Sequence, residues 1–465
     1  MKSSHWNERV AVLLLLVVTL FVTLDQWRLL PLPLPVLGIT AMAVLLMAMR
    51  VRASRKAFVI AAVVLTGLLI LYVPGWKDVV RAGLRTAAFI AAFFMALSTL
   101  RNVSETSPAI AAGGTYLAVQ PPGRRYAALT LGGHLFALLL NYGAISLLGG
   151  LATASARAEP NAEIRHHRTR RMLLAIQRGF VSSLSWSPLA FSMAITNALI
   201  PGARWADVVG PGLVTAAIIA GTGWALDTVF KPRLSAPAPP RGPVEGSWTV
   251  LVPLLALLVG MGLIVGGLHE LSGVAVVGIV MLIVPFLSLG WAALQHAGGA
   301  MRFSFRDRLR DYLWKDLPGY RGELTLLTMA GYIGTVGAPL LLPVVPAMGL
   351  DVTGLPSWLV VVSFVWVIPI LGQFGMNPIL AVTLIAPLIP AASQLGVTPA
   401  ALVVSIAAGW ALSGAFSPFT ATTLLIGSFG GVSALHVGWR WNGIFVLCAG
   451  MVLSLWVLIF AFLLA

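Results

Sequence analysis

Apolar runs long enough to cross a bilayer follow one another along almost the whole chain, separated by short stretches that hold most of the charge. A hydrocarbon core about 30 Å thick needs roughly 20 mostly apolar helical residues to span it. Runs of this kind cover residues 10–24, 34–50, 57–74, 83–99, 126–142, 172–200, 205–229, 248–268, 271–293, 324–345, 357–373, 400–428 and 440–463. The pattern predicts an all-α polytopic membrane protein. Lys2 and Arg9 precede the first run as in a signal peptide, but no small-residue cleavage site follows. Asp25-Gln26-Trp27-Arg28 looks like an interfacial boundary, so the run is read as a retained first helix.

Composition excludes the soluble alternative. Of 465 residues 58% are hydrophobic and 10% charged, with a mean hydropathy of +0.93, against about 25% charged in soluble chains. The net charge of +15 would suit a nucleic-acid binder, but the basic residues are divided among loops between spans. Four lie at 50–56, five at 157–171, three at 231–241 and six at 302–321, together 18 of the 30 Lys and Arg. By the positive-inside rule these four loops and the N-terminus are cytoplasmic. The loop 295–323 also carries four acids with Tyr312 and Trp314; it reads as a solvated, topology-setting loop or as an amphipathic segment that meets lipid. Five prolines between 231 and 247 mark an extended linker. Cys448 stands alone, which excludes an intrachain disulfide framework and a Cys-rich metal site.

Two motifs recur on either side of that linker. Asn141-Tyr142-Gly143-Ala144-Ile145-Ser146-Leu147-Leu148 matches Gln373-Phe374-Gly375-Met376-Asn377-Pro378-Ile379-Leu380 at an offset of 232 residues. Ser183-Leu184-Ser185-Trp186-Ser187-Pro188 matches Ser413-Gly414-Ala415-Phe416-Ser417-Pro418 at an offset of 230. Order and separation are shared, which points to an internal duplication. A Ser-Pro step in mid-membrane strips the helix of backbone hydrogen bonds, which is tolerated only where the backbone is buried in protein or lines a cavity. Pro188 and Pro418 could merely kink packed helices, with the serines bonded back to their own carbonyls. Recurrence of the break in both halves favours a binding site.

The polar stretch after Asn141 and the Pro-rich one after Gly375 are read as re-entrant hairpins, at about 143–171 and 375–397. Broken helices follow at 172–200 and 400–428. If 83–142 and 324–373 each make one net crossing, all four basic loops fall inside, the hairpins open on opposite sides and the C-terminus lies outside. The expected organisation is N-terminal scaffold helices over 1–82, a first repeat over 83–230, the linker at 231–247 and a second repeat over 248–463. The two repeats would be inverted, with about 11 crossings in all.

In the hairpin plus broken helix carried by Asn141 to Leu148, Ser183 to Pro188, Gln373 to Leu380 and Ser413 to Thr422, the chain resembles the ion transporter superfamily. That group includes divalent anion/sodium symporters and arsenite efflux permeases. The resemblance implies a scaffold domain, a mobile transport domain moving like an elevator, and a homodimer. Where the anion symporters carry Ser-Asn-Thr at the hairpin tips, this chain has Asn141-Tyr142-Gly143 and Gln373-Phe374-Gly375, so the subfamily stays open.

A solute leaving water needs replacement ligands, and hydroxyls, amides, carbonyls and half-helix N-termini supply them without burying a charge. The candidate binding set is Asn141, Gly143, Ser146, Ser183 and Ser187 from the first half with Gln373, Gly375, Asn377, Ser413, Ser417, Thr420 and Thr422 from the second. Arg178 joins it as the one cation well inside a broken helix, binding an anionic solute or else snorkelling to the headgroups. His134 could relay protons or simply be packed. With so few carboxylates in the spans, the expected coupling is sodium held by hydroxyls and carbonyls, or a proton carried by the solute. A bound sodium ion is therefore the only cofactor expected, and membrane lipids and a small molecule are the expected partners. The reading is a secondary active transporter for a small anionic organic solute in a bacterial inner membrane. An exporter of metalloid or other inorganic ions and a membrane enzyme acting on a lipid-linked substrate are the alternatives. The enzyme lacks the paired carboxylates or His cluster it would need, since His166-His167 sits among arginines.

Overall fold

The computed structural model describes residues 2–232, 234–235, 246–297, 305–347 and 354–464. All its regular secondary structure is helical. In chain order the α-helices are α1 (Lys2–Gln26), α2 (Leu34–Ala48), α3 (Ala53–Tyr72), α4 (Trp76–Glu105), α5 (Pro108–Ala118) and α6 (Pro122–Leu140). There follow α7 (Gly143–Arg157), α8 (Ala162–Ser183), α9 (Phe191–Leu199), α10 (Trp205–Val229), α11 (Val252–Ser272) and α12 (Val276–Ala297). The remainder are α13 (Phe305–Asp311), α14 (Leu317–Gly319), α15 (Arg321–Leu341), α16 (Val344–Ala347), α17 (Ser357–Gln373), α18 (Pro378–Ile385), α19 (Pro399–Phe416), α20 (Ala421–Gly430), α21 (Ala434–His436) and α22 (Asn442–Ile459). A π-helical turn, Tyr312–Asp316, joins α13 to α14.

Among the described residues nine helices are long and apolar enough to cross a membrane, and α2 and α17 are shorter apolar helices. The chain is an all-α polytopic membrane protein. Burial separates lipid-facing helices from central ones: the apolar window of α3 is only 11% buried, that of the α19–α20 pair 94%. Exposed Ile60, Val63, Val64 and Leu71 on α3 would be intolerable in water but match lipid chains.

The chain divides into two units. Unit 1 holds residues 1–103, 263–354 and 379–390; unit 2 holds 104–262, 355–378 and 391–465. The early helices of each half thus share one unit, and the broken helices the other. The second expected hairpin is divided, since 379–390 pack with unit 1. In unit 1, α15 is the hub. Its glycines at 331, 334 and 337 recur every three residues and lie against Ile90 of α4, Thr383 of α18, and Leu384 and Leu65. Small residues in such a row let helix backbones approach closely, which is what drives association when lipid competes for apolar surface. The Tyr332 and Thr66 hydroxyls lie 2.8 Å apart in the same core.

Two of the basic segments are helical. The basic run 162–171 is helical, because Asn161 Oδ1 caps α8 by accepting from the N–H groups of Glu163 (2.9 Å) and Ile164 (3.1 Å). Helix α8 therefore begins at Ala162, inside the stretch read as the first hairpin. The stretch 305–323, for which an amphipathic helix is one of the two expectations, is mostly helical. Most of the Pro-rich linker and the segment 298–304 lie outside the described residues.

Candidate functional site

The expected site residues all belong to unit 2, where two helix pairs are built alike. Gly179 of α8 sits on α6 so closely that a Cβ there would lie 2.0 Å from the Thr130 carbonyl oxygen. Gly409 of α19 sits on α17 with the same 2.0 Å approach to the Phe364 oxygen. Only glycine permits backbone contact of this kind.

Beyond each crossing the helix ends shortly before the Ser-Pro step, α8 at Ser183 and α19 at Phe416, and the step itself is bonded alike in both. Ser187 N–H donates to Ser183 O at 3.1 Å, and Ser417 N–H to Ser413 O at 2.9 Å. Each Ser-Pro hydroxyl then accepts from the backbone two residues on: Leu189 N–H to Ser187 Oγ at 3.2 Å and Phe419 N–H to Ser417 Oγ at 3.3 Å. These local turns offer the backbone an alternative to the helix and hold the break open. The first turn of the next helix closes on the last turn of the previous one. Ser192 Oγ donates to Leu184 O, and Thr422 Oγ1 donates to Gly414 O, again 230 residues apart. Ser192 lies outside the repeated motifs, and only its offset of 230 residues from Thr422 marks it in the sequence, because its acceptor lies across the break.

The two broken helices run antiparallel beside each other. Gly414 packs on Val181 and Leu184 at the end of α8, Gly202 after α9 meets Pro399 at the start of α19, and Gly430 at the end of α20 approaches Leu173 in α8. The breaks therefore lie at one level. The N-termini of α9 and α20 both begin there, neither with a side-chain cap, bringing the positive ends of two helix dipoles to one region.

Oxygen ligands are concentrated on the second break. Ser417 Oγ donates to Gly372 O at 2.6 Å, tying the break to the end of α17 next to Gln373. Thr420 Oγ1 lies 2.9 Å from Thr422 Oγ1 and 3.1 Å from that of Thr423, and Thr423 donates to Ser417 O at 2.6 Å. Ser413 Oγ is fully buried and has no hydrogen-bond partner among the described residues. Gln373 Oε1 accepts from Trp439 Nε1 at 3.0 Å. In the first half Ser183 is spent on Phe180 O at 2.7 Å, while Tyr142 stacks on Phe180 and brings the Asn141 turn to α8. Both Gly-centred motifs turn on a left-handed residue, Asn141 (φ +49°) in one and Gly375 (φ +85°) in the other. Gly143 is buried, Asn377 half-buried and Ser146 exposed. The structure thus gathers Gln373, Ser413, Ser417, Thr420 and Thr422, and sets Ser146 apart from the buried serines.

Arg178 is buried among neutral partners rather than reaching out to the headgroups. It is 5% exposed and donates from Nε to Asn442 Oδ1 (3.2 Å) and from Nη1 to Tyr126 Oη (3.0 Å) and Gly223 O (3.3 Å). Nη2 donates to Trp441 O at 3.4 Å, and the guanidinium lies 4.4 Å from the centre of the Phe445 ring. Its fork joins α6, α8, α10 and α22, and all these acceptors are neutral. Gln177 Oε1 accepts from Asn442 Nδ2 at 2.9 Å, which aims the amide oxygen at Arg178. His134 is held on both ring nitrogens: Trp186 Nε1 donates to Nε2 at 3.1 Å, so Nδ1 carries the proton toward Ser182 Oγ at 2.8 Å. The wiring orients Trp186, which lies in the turn after α8, next to the Ser187-Pro188 step.

No protein-family model and no curated protein sequence matches the chain. Solved structures do share its fold. The chain is similar to the YdaH transporter of Alcanivorax borkumensis, with a TM-score of 0.55 and 15% identity over 87% of this chain and 98% of that one. It is similar also to MtrF of Neisseria gonorrhoeae, described as illuminating a class of antimetabolite efflux pumps, with a TM-score of 0.54 and 12% identity over 90% of this chain and 96% of that one.

Proposed function

We propose that this protein is a secondary active transporter, not an enzyme, and that it carries a small anionic organic solute held between the two helix breaks of unit 2. The observation that carries this reading is the recurrence of one hydrogen-bonded break in two antiparallel helices whose second halves start at the same level. Two half-helix N-termini favour negative charge, and neutral hydroxyls and amides orient it without the cost of an unpaired buried ion. The unpartnered Ser413 hydroxyl supports a ligand at this level, because a buried polar group is rarely left unsatisfied. The fold shared with YdaH and MtrF supports transport, and the description of MtrF as an efflux pump favours export. Arg178 is assigned to bracing the helices around the site.

For coupling we propose sodium, held by the Thr420, Thr422 and Thr423 hydroxyls with the Gly414 and Ser417 carbonyls, an all-oxygen set of the kind a hard cation takes. Unit 2 would be the carrier and unit 1 the scaffold of an elevator-like, dimeric transporter in a bacterial inner membrane, its repeats inverted and its N-terminus cytoplasmic. Membership of the ion transporter superfamily rests on the sequence resemblance alone. The test is transport in proteoliposomes across a panel of organic anions, with and without a sodium gradient. Transport lost in Ser417→Ala and Thr422→Val but kept in Ser146→Ala supports the site; equal transport in all three refutes it. Antimetabolites, the class named for MtrF, belong in the panel as a test of the export reading.

A further inference from the structure

Away from the breaks, unit 1 contains a cavity of about 450 Å³ whose rim is charged and partly aromatic. Arg55, Arg101, Lys315, Asp316, Tyr320 and Glu323 line it. They come from the start of α3, the end of α4, the π-helical turn and the start of α15. Three membrane-crossing helices, Arg55–Tyr72, Trp76–Glu105 and Arg321–Leu341, therefore begin or end at this cavity, which puts its mouth at headgroup depth. The side is the basic one, with Arg50 and Arg321 around Glu8 at 2.9 Å and 3.7 Å and Arg9 over the Trp314 ring at 5.6 Å.

The acids in the cavity are already engaged. Asp316 accepts from Asn102 Nδ2 at 2.7 Å, and Glu323 pairs with Arg101 at 3.4 Å while Arg101 also lies over the Tyr320 ring at 4.8 Å. Arg55 is different. Its side chain forms no hydrogen bond or ion pair among the described residues, and it lies so close to Gly322 that a Cβ there would fall 1.6 Å from its Nη1. The guanidinium rests on the backbone of the first turn of α15, where the helix dipole is also positive. Lys315, whose exposed partner Asp311 lies one turn back at 2.8 Å, can swing toward the same space.

We propose that this cavity binds a phosphate group and is filled in the membrane by the headgroup of an anionic phospholipid. The planar fork of Arg55 matches two phosphate oxygens, Lys315 adds a point charge and the Tyr320 hydroxyl a donor. Basic pockets between membrane helices on the cytoplasmic side recognise lipid phosphates by this chemistry. Asp316 and Glu323 on the same rim can accept from headgroup hydroxyls, which favours a phosphoglycerol headgroup over a zwitterionic one.

The experiment uses the purified full chain in micelles with equal phosphatidylglycerol and phosphatidylcholine, the retained lipid being counted by native mass spectrometry. Wild type should retain phosphatidylglycerol preferentially. The preference should fall about fivefold for each charge removed in Arg55→Gln and Lys315→Gln and stay unchanged in Arg204→Gln, which lies outside the cavity. Gly322→Ala serves as a second variant, because the nearest atoms the new methyl meets all belong to the Arg55 side chain and none to a neighbouring backbone. Displacement by millimolar inorganic phosphate would identify a soluble phosphate as the occupant and keep the site. Equal retention of the two lipids by wild type, or unchanged preference in Arg55→Gln and Gly322→Ala, overturns the proposal.

Discussion

The paired glycine crossings make a quantitative prediction. In Gly409→Ala the new methyl would sit 2.0 Å from the Phe364 oxygen, 3.0 Å from its carbonyl carbon and 3.1 Å from Ile368 Cδ1. A carbon needs more than 3 Å from a carbonyl oxygen, and neither a backbone carbonyl nor the helix carrying it can rotate aside, so α17 and α19 must separate by more than 1 Å. Overpacking of this kind costs about 1–3 kcal/mol, and here the upper end is expected because the obstacle is main chain. At roughly 2–4 °C per kcal/mol for a unit of this size, the apparent melting temperature should fall by about 5–10 °C. Gly179→Ala, 2.0 Å from Thr130 O, should behave the same way. Gly221→Ala in α10 has nothing within 4 Å and should be neutral or slightly stabilising, since alanine is the better helix former. The assay is heating in detergent followed by fluorescence-detected size exclusion. If Gly409→Ala melts with Gly221→Ala, the close approach of α17 and α19 is wrong.

Other substitutions probe the remaining parts. Arg178→Lys cannot reach the four acceptors of the guanidinium fork and should lower stability by about 2 kcal/mol, with Arg178→Met costing at least as much; Lys equal to wild type in the same heating assay would show that the fork geometry is irrelevant. Asp227→Asn weakens a two-bond pair with Arg171 at 2.8 Å and 2.6 Å, but the arginine is about a third exposed, so only about 1 kcal/mol or less is expected. His134→Phe keeps the ring but removes both its hydrogen bonds, freeing Trp186 at the first break; transport should drop about tenfold with little change in melting temperature, and unchanged transport would remove His134 from the argument. Ser413→Ala deletes a hydroxyl that has no partner, so stability should rise or stay level while transport falls; a large loss of stability would mean the hydroxyl is structural rather than poised for a ligand.

Much of the molecule was readable in the chain itself. Runs of apolar residues separated by basic loops established a polytopic helical protein, because a bilayer imposes both helix length and complete backbone hydrogen bonding. The Ser-Pro steps at Ser187 and Ser417 marked where two helices stop, since proline and a preceding serine act on the backbone within a few residues. Arg178 shows where that legibility ended. Its identity and depth were plain, but its partners Tyr126, Gly223, Trp441 and Asn442 are 45 to 264 residues away, and only the packing of four helices brings them together around it. The same holds for Ser192 and Thr422, whose acceptors lie across a break, and for Gly179 and Gly409, two glycines among 47 until the carbonyls beneath them are seen. Local chemistry and the solvent are written along the chain; which distant backbone a side chain meets is decided when the helices pack.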